Sequence, residues 1–457
     1  MLKNTRMILV LALPSIVSFA TMTLTGTINL IMVGQMGALV IAVVGVSNII
    51  MYNIWALFSG IGHTVNYLVA QNYGENNIGK GIERTYLALY LSAAVGLLCV
   101  LLGLTAPEAA LRLMGGSPEL VSAGTDYLRL RFLAMAFGIM TFVLHGFFRG
   151  IGDSKTPMIF SLVCNVVMIF FTYTLTYGNL GFPRLGLTGA GIAFLLGEAA
   201  GLLGCLYVFF IRLHPRFRTR VLVPVQRHEA RLLAMESGKL GMQEFAMSMA
   251  MFVFTMFVTR LGTEALAANE VALNIMSLGF MPAFGFGATA TILVGQEIGR
   301  GNGKMARRYG TETALLGSLF LLVMGVIEFI WAEPITRIYT SDPAVAELAA
   351  RLIMVSAFLQ LFDGLLNFYA GGLRGIGDTT FLLRASFILS WFVFVPLAYL
   401  LTFVLDWKSM GAWISLYTFL LLFGTATMLR FYRTRWDSVK VKVSAPHGSA
   451  ATSVPSE

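Results

Sequence analysis

Arg149-Gly-Ile-Gly-Asp153 returns as Arg374-Gly-Ile-Gly-Asp378, 225 positions later (374 − 149). At the same offset Val69, Gln71, Gly74 and Asn77 match Val294, Gln296, Gly299 and Asn302. Ile50, Met51, Gly60, Gly62 and Thr64 likewise match Ile275, Met276, Gly285, Gly287 and Thr289. Chance matches drift in register, so one offset held through several segments is the mark of a duplicated unit.

What is duplicated belongs in lipid. Hydrophobic residues make up 57% of the 457-residue chain and charged ones only 12%, against about 25% in soluble domains, and the mean hydropathy is +0.77. A span needs about 20 mostly apolar residues. Breaks at Gly, Pro and charge clusters predict twelve: 7–34, 40–72, 84–106, 122–148, 156–178, 187–211, 236–261, 265–298, 308–332, 345–372, 380–404 and 409–430. The runs are continuous and lack the alternation of lipid-facing strands, so they are helices. Met1 to Arg6 resembles the charged start of a signal sequence, but no small-residue cleavage site follows, and the first span is expected to stay.

Of the 32 Lys and Arg, 24 lie in or beside the N-terminus, the even-numbered connections and the tail. The positive-inside rule makes those segments cytoplasmic, with both termini on that side of a cell (inner) membrane. The expected organisation is a six-helix bundle over 1–213, a basic cytoplasmic linker over 214–235, a second bundle over 236–432 and a disordered cytoplasmic tail over 433–457. The net charge of +9 is spread between spans, without the clustered basic face of a nucleic-acid binder. Cys99, Cys164 and Cys205 sit in apolar runs with no knuckle or dithiol spacing.

Because 225 residues cover an even number of spans, the halves share one orientation. They are related by a pseudo-two-fold axis along the membrane normal, the parallel-repeat plan of secondary transporters. Two such bundles can rock about a central site. The rival class, a membrane-embedded enzyme, would bring a nucleophile, metal or cofactor motif, and none accompanies the repeat. The chain is expected to be no enzyme and to need no cofactor.

Further segments carry a family resemblance. Ala267-Ala-Asn-Glu-Val-Ala-Leu-Asn274, Phe280-Met-Pro282, Val294-Gly-Gln296 and Gly181-Phe-Pro-Arg-Leu-Gly-Leu-Thr-Gly-Ala190, with the paired Arg-Gly-Ile-Gly-Asp loops, resemble the multidrug and toxic compound extrusion (MATE) family over nearly the whole chain. The resemblance implies twelve helices flanking a cleft and export of bulky, often cationic drug-like compounds in exchange for protons or sodium. A monomer in the bilayer is expected.

Ionisable groups inside spans are costly and mark function by default. The span acids are Glu198, Glu244, Glu270, Glu328 and Asp363. Stepping back 225 places Glu244, Glu270 and Asp363 opposite Phe19, Gly45 and Gly138, so these acids belong to one half only. The resemblance adds that the family often carries a carboxylate near Asp363, and many bacterial members a Glu near Glu244. Glu244 and Asp363, with Glu270 as an outer member, are expected to bind the coupling proton or sodium. No other metal site is expected. Glu328, near Trp331 and Glu333, reads as structural.

In the first half the family's first-span Asp position holds Asn29. The fifth-span motif starting at Asn165 carries Met168 and Thr172 where an Asn and an Asp are common. An acid site there is dismantled unless Glu198 substitutes. Further polar candidates for the cavity are Asn29, His63, Asn165, Thr172, Asn274 and Asn367. The Arg-Gly-Ile-Gly-Asp loops read as helix caps and turns, with Gly supplying positive φ. A flippase for lipid-linked precursors is the alternative on this fold. It calls for a cationic cavity, whereas the spans carry acids rather than midspan Arg or Lys.

Overall fold

The computed structural model describes residues 2–443. Among them eleven helices are each long and apolar enough to cross a membrane, and a bent pair makes the twelfth. The spans are α1 (Leu2–Gly34), α2 (Ala38–Gly74), α3 (Ile78–Thr105), α4 (Pro118–Gly150), α5 (Lys155–Tyr177) and α6 (Leu187–Arg212). The second half holds α7 (Arg227–Thr259), α8 (Thr263–Gly299), α9 (Gly303–Ile330), α10 (Pro343–Ser356 and Leu359–Gly375), α11 (Thr379–Val404) and α12 (Lys408–Arg433). The all-helical fold expected from the sequence is the fold observed.

The duplication reappears as geometry. Gly37 and Gly262 open α2 and α8 with φ of 122° and 109°, and Gly152 and Gly377 turn the repeated loops with φ of 85° and 79°. Asn77 and Asn302 cap α3 and α9, accepting from the backbone N–H of Lys80 and Met305. Asp153 Oδ1 caps α5 through the N–H of Lys155 and Thr156, as a short acceptor at a helix start should.

The halves meet along α1, α2, α7 and α8. A Cβ on Gly60 would collide with the Ser237 carbonyl and the Gly241 backbone of α7. In the pseudo-symmetric crossing, a Cβ on Gly285 of α8 would collide with Ile16 of α1. Near the basic end, where α1 starts and α2 and α8 finish, Gly74 abuts Gln296 while Gly299 abuts Gln71. Bare glycine faces are what let these backbones come so close.

Three expectations change. Helix α7 begins at Arg227 rather than 236, so the linker 214–235 is helical over its last part. That polar first stretch is held by Glu229, which pairs with Lys80 at 2.9 Å and Arg84 at 3.0 Å. The tenth span is not one rod: it bends by 46° between Ser356 and Leu359, where Gly325 of α9 lies against the Ala357 carbonyl. The expected disordered tail 433–457 is corrected over its first part. Trp436 is buried and donates to the Phe431 carbonyl at 3.1 Å, and the Lys442 N–H donates to Gln71 Oε1 at 2.8 Å. The remainder, 444–457, lies outside the described residues.

Candidate functional site

Along the seam an unbroken string of rings runs from one half to the other. Tyr52 lies 6.3 Å from Trp55, Trp55 lies 5.5 Å from Phe142, and His63 meets Phe142 edge-on at 5.2 Å. Arg149 bridges Phe142 and Phe19, its guanidinium carbon 5.9 and 4.8 Å from the two ring centres. Phe19 then meets Phe284 of the second half at 5.9 Å. Tyr52 is 57% exposed although it lies within the field of Glu244 and Asp363, so this wall faces an open space between the halves.

Asp363 of α10 is buried at this seam and stands within the field of Glu244 of α7. Glu244 also pairs with Arg374 at 3.7 Å. Asn367 lies one turn along α10 and donates to Asp363 Oδ2 at 3.2 Å. Glu244, Arg374, Asp363 and Asn367 thus form one polar cluster at the seam, with Tyr52 within the field of both acids. No group of three His, Cys, Asp or Glu suited to a metal exists among the described residues.

Glu270 is not brought to this pair. Gly279 packs on Gln360 and Thr291 donates to the Gly371 carbonyl, so α8 and α10 run side by side. That register sets Asp363 level with Pro282, about 18 Å from Glu270 at 1.5 Å per residue. Glu270 is exposed, next to Asn269, which accepts from Trp413 Nε1 at 3.0 Å. Asn274 is also exposed on α8, toward the same end. Glu328 is buried and accepts from Gln360 Nε2 beside the bend in α10.

Glu198, the acid held open as a substitute in the first half, lies against the counterpart of Asp363. Its Oε2 lies 3.2 Å from where a Cβ of Gly138 would stand, and Gly138 is the counterpart of Asp363. The first half therefore carries a carboxylate in the equivalent place, delivered by α6 instead of α4, within the field of Arg131. Arg131 donates to Asn48 Oδ1 and lies 3.9 Å over the Phe194 ring. Asn29, Asn165 and Thr172 are buried in the same half, and Asn29 Oδ1, Asn165 Nδ2 and Thr172 Oγ1 have no protein partner.

Two features were not anticipated. The glycines and Asp153 of the repeated loops are turns and caps as expected, but Arg149 and Arg374 point inward. Arg149 is only 4% exposed, and both stand within the field of His63. Both sit in the last turn of their helices, so they are buried at the span ends rather than midspan. The second feature is Glu236, which accepts from Tyr67 at 2.7 Å, Thr379 at 2.6 Å and Lys239 at 3.0 Å, with Lys442 Nζ at 3.6 Å. It ties both halves and the tail at the basic end. An acid set at the margin of a span among cations was the available signal.

Comparison with known proteins gives consistent results. The MatE family model matches residues 14–174 and 240–400, two stretches in nearly the register of the internal repeat. The chain is 30% identical over 320 residues to the probable multidrug resistance protein NorM of Thermotoga maritima, covering 70% of this chain and 68% of that one. It is 31% identical over 369 residues to the protein of the same name from Pseudomonas putida, covering 78% of each. An outward-facing multidrug resistance MATE family transporter of the MOP superfamily superposes with a TM-score of 0.86 at 19% identity, over 94% of this chain and 95% of that one.

Proposed function

We propose, from the premise that this chain belongs to the MatE family of multidrug efflux transporters, that it exports structurally diverse organic cations in exchange for protons or sodium by alternating access. The observation that carries this reading is the convergence of Glu244 and Asp363 beside Tyr52 and Asn367 at an open seam. A pair of neighbouring carboxylates in a low-dielectric cleft favours one bound cation at a time. An inorganic coupling ion and a cationic drug therefore compete for the same negative charge. That competition is what makes an exchanger.

The described contacts support one state of the cycle. The Gln71, Gln296 and Glu236 bonds join the halves at the basic end, and the charge census assigns that end to the cytoplasm. With that orientation, the form described is closed inward and open outward. Rocking about the glycine crossings of α2 with α7 and α1 with α8 would reverse it. The flippase alternative gains little from the interior arginines. Arg374 is matched by Glu244, and one unmatched guanidinium is too little charge for a pyrophosphate.

The test is reconstitution of the full chain in liposomes with a pH gradient and a sodium gradient imposed separately. Glu244→Gln and Asp363→Asn should each lose gradient-driven export of an organic cation while the protein stays folded. Full retention of export in both variants would overturn the assignment.

A further inference from the structure

Several cations at the basic end are matched by an acid. Lys80 and Arg84 of α3 share Glu229 at 2.9 and 3.0 Å, and Arg308 of α9 holds Glu312 at 2.8 Å. Lys304 and Arg307, in the first turns of α9, and Arg435, just past α12, differ. Among the described residues no carboxylate stands within ion-pair distance of any of the three. Stepping back 225 from Lys304 and Arg307 gives Gly79 and Ile82, so this charge is no part of the duplicated scaffold.

The three cations line one cavity of about 500 Å³, in whose wall Asp437 is the one acid. Small-molecule sites run from about 300 to 1,000 Å³. The walls are packed into place. A Cβ on Gly303 would collide with the Trp436 carbonyl, and a Cβ on Gly310 or Gly372 with the Phe431 ring. Trp436 lies 4.6 Å from that ring and donates to the Phe431 carbonyl, and the Arg307 guanidinium carbon stands 5.5 Å from the centre of the Tyr432 ring. A solvated positive-inside anchor needs none of this packing. Leu322 follows Lys304 by 18 residues (322 − 304), five turns of helix, and so stands on the same face of α9. Leu315 and Leu319 flank that line, and all three leucines are exposed. An apolar face open along a span meets acyl chains.

We propose that this cavity holds the phosphate of an anionic phospholipid, with its acyl chains along the exposed face of α9, and that the bound headgroup steadies the tail segment that fastens the two halves. Any phosphate ester satisfies the three cations through charge-assisted bonds. The leucine face beneath them selects an ester that carries acyl chains, and the basic end is the one that meets the anionic leaflet. Residues 436–442 lead from the cavity to the seam. There the Lys442 N–H donates to Gln71 Oε1 at 2.8 Å, its Nζ donates to the Gly377 carbonyl at 3.2 Å, and its own carbonyl accepts from Arg84 at 3.1 Å. A headgroup that fixes Arg435 therefore fixes the root of a strap joining both halves, and favours the form closed at the basic end.

The test titrates the full chain, in mild detergent, with dioleoylphosphatidylglycerol, dioleoylphosphatidylcholine and inorganic phosphate, and reads bound lipid by native mass spectrometry. The parent should prefer the anionic lipid. Combining Lys304→Gln, Arg307→Gln and Arg435→Gln should weaken that lipid at least about tenfold, while Lys304→Arg, Arg307→Lys and Arg435→Lys together should preserve it. Asp437→Asn, which removes the cavity's acid, should tighten it, a gain that misfolding cannot mimic. The control removes as much charge elsewhere on the same face, through Arg216→Gln, Arg227→Gln and Arg231→Gln, and should leave affinity in place. An equal loss in the control would show a diffuse surface field and overturn the site. If inorganic phosphate displaces the lipid from the parent and binds as tightly, the site takes a soluble anion and the lipid assignment is wrong. In nanodiscs, exchanging phosphatidylcholine for phosphatidylglycerol should slow hydrogen exchange over 436–443 about fivefold in the parent, the worth of one surface cation meeting an anion, and not in the glutamine triple. Unchanged exchange in the parent would overturn the link to the strap.

Discussion

Gln71 Nε2 donates to the Gly375 carbonyl at 2.8 Å, and its repeat counterpart Gln296 donates to the Gly150 carbonyl at 2.9 Å. Each half thus places one amide on the Arg-Gly-Ile-Gly-Asp loop of the other. The pair is related by the pseudo-two-fold axis and fastens the basic end twice. It also explains why the two loops and the two glutamines are the strongest self-similar features of the chain. They are one contact seen from both sides.

Each of these bonds contributes about 1 kcal/mol to the closed form. Gln296→Ala should therefore raise the population open at the basic end about fivefold and Gln71→Ala by more, because it also loses the Lys442 N–H, and the double variant should combine the effects if the contacts act independently. Distances between spin labels on the two halves at that end would report it. Unchanged distance distributions in the double variant would refute the assigned role.

Glu236 is a stronger clasp, because four donors from both halves and the tail converge on one carboxylate. Glu236→Gln keeps the shape and removes the charge. It should open the basic end more than Lys442→Met does, since Lys442 is only one of the four. The double variant should cost less than the two singles summed, because both remove the same ion pair. Hydrogen exchange at the start of α11 and in residues 436–443 is the measurement. Strictly additive effects would show that the tail and Glu236 act separately.

How much of this could be read beforehand follows from which interactions are local. The spans were legible because twenty apolar residues have no other home than lipid, and the fold class because the offset of 225 recurs. The bend in α10 was not. Ser356-Ala357-Phe358 contains neither Pro nor Gly, and what packs at the break is Gly325 of a different helix. Residues 436–442 looked like a polar tail because their partners, Gln71 and Arg84, stand more than 350 positions away. Glu244 and Asp363 were singled out because an acid inside a span is conspicuous in one dimension. The inward aim of Arg149 was not, because a residue next to a Gly-rich turn reads as a cap until its neighbour Phe19 is known.

Gly60 tests the crossing of α2 and α7. Gly60→Ala inserts a methyl group where the Ser237 carbonyl and Gly241 already stand, and overpacking of this kind costs about 1–3 kcal/mol. The helices must part, so the variant should melt lower and favour the form in which the halves have rocked apart. Thermal unfolding followed by tryptophan fluorescence would check it. A melting temperature at or above that of the parent would show that the crossing yields without cost.

If Glu244 and Asp363 receive a cation, as proposed, Arg374 is its internal rival. It holds Glu244 at 3.7 Å while Asp363 has, among the described residues, only Asn367 as a hydrogen-bonding side chain, so a guanidinium already claims half of the negative charge. At an effective dielectric constant of about 20, a unit charge about 4 Å away is worth about 4 kcal/mol before screening, enough to weaken an incoming cation well beyond tenfold. Arg374→Met should therefore tighten the binding of an organic cation, measured without competing ion, and of sodium, measured without the organic cation, each by at least about tenfold. Maximal exchange should become slower, because an ion held that firmly is surrendered reluctantly. Direct titration of a fluorescent organic cation into nanodiscs, and sodium titration followed by thermal stability, give the two affinities. If both affinities fall in Arg374→Met, the arginine is a scaffold that orients Glu244 rather than a competitor for its charge.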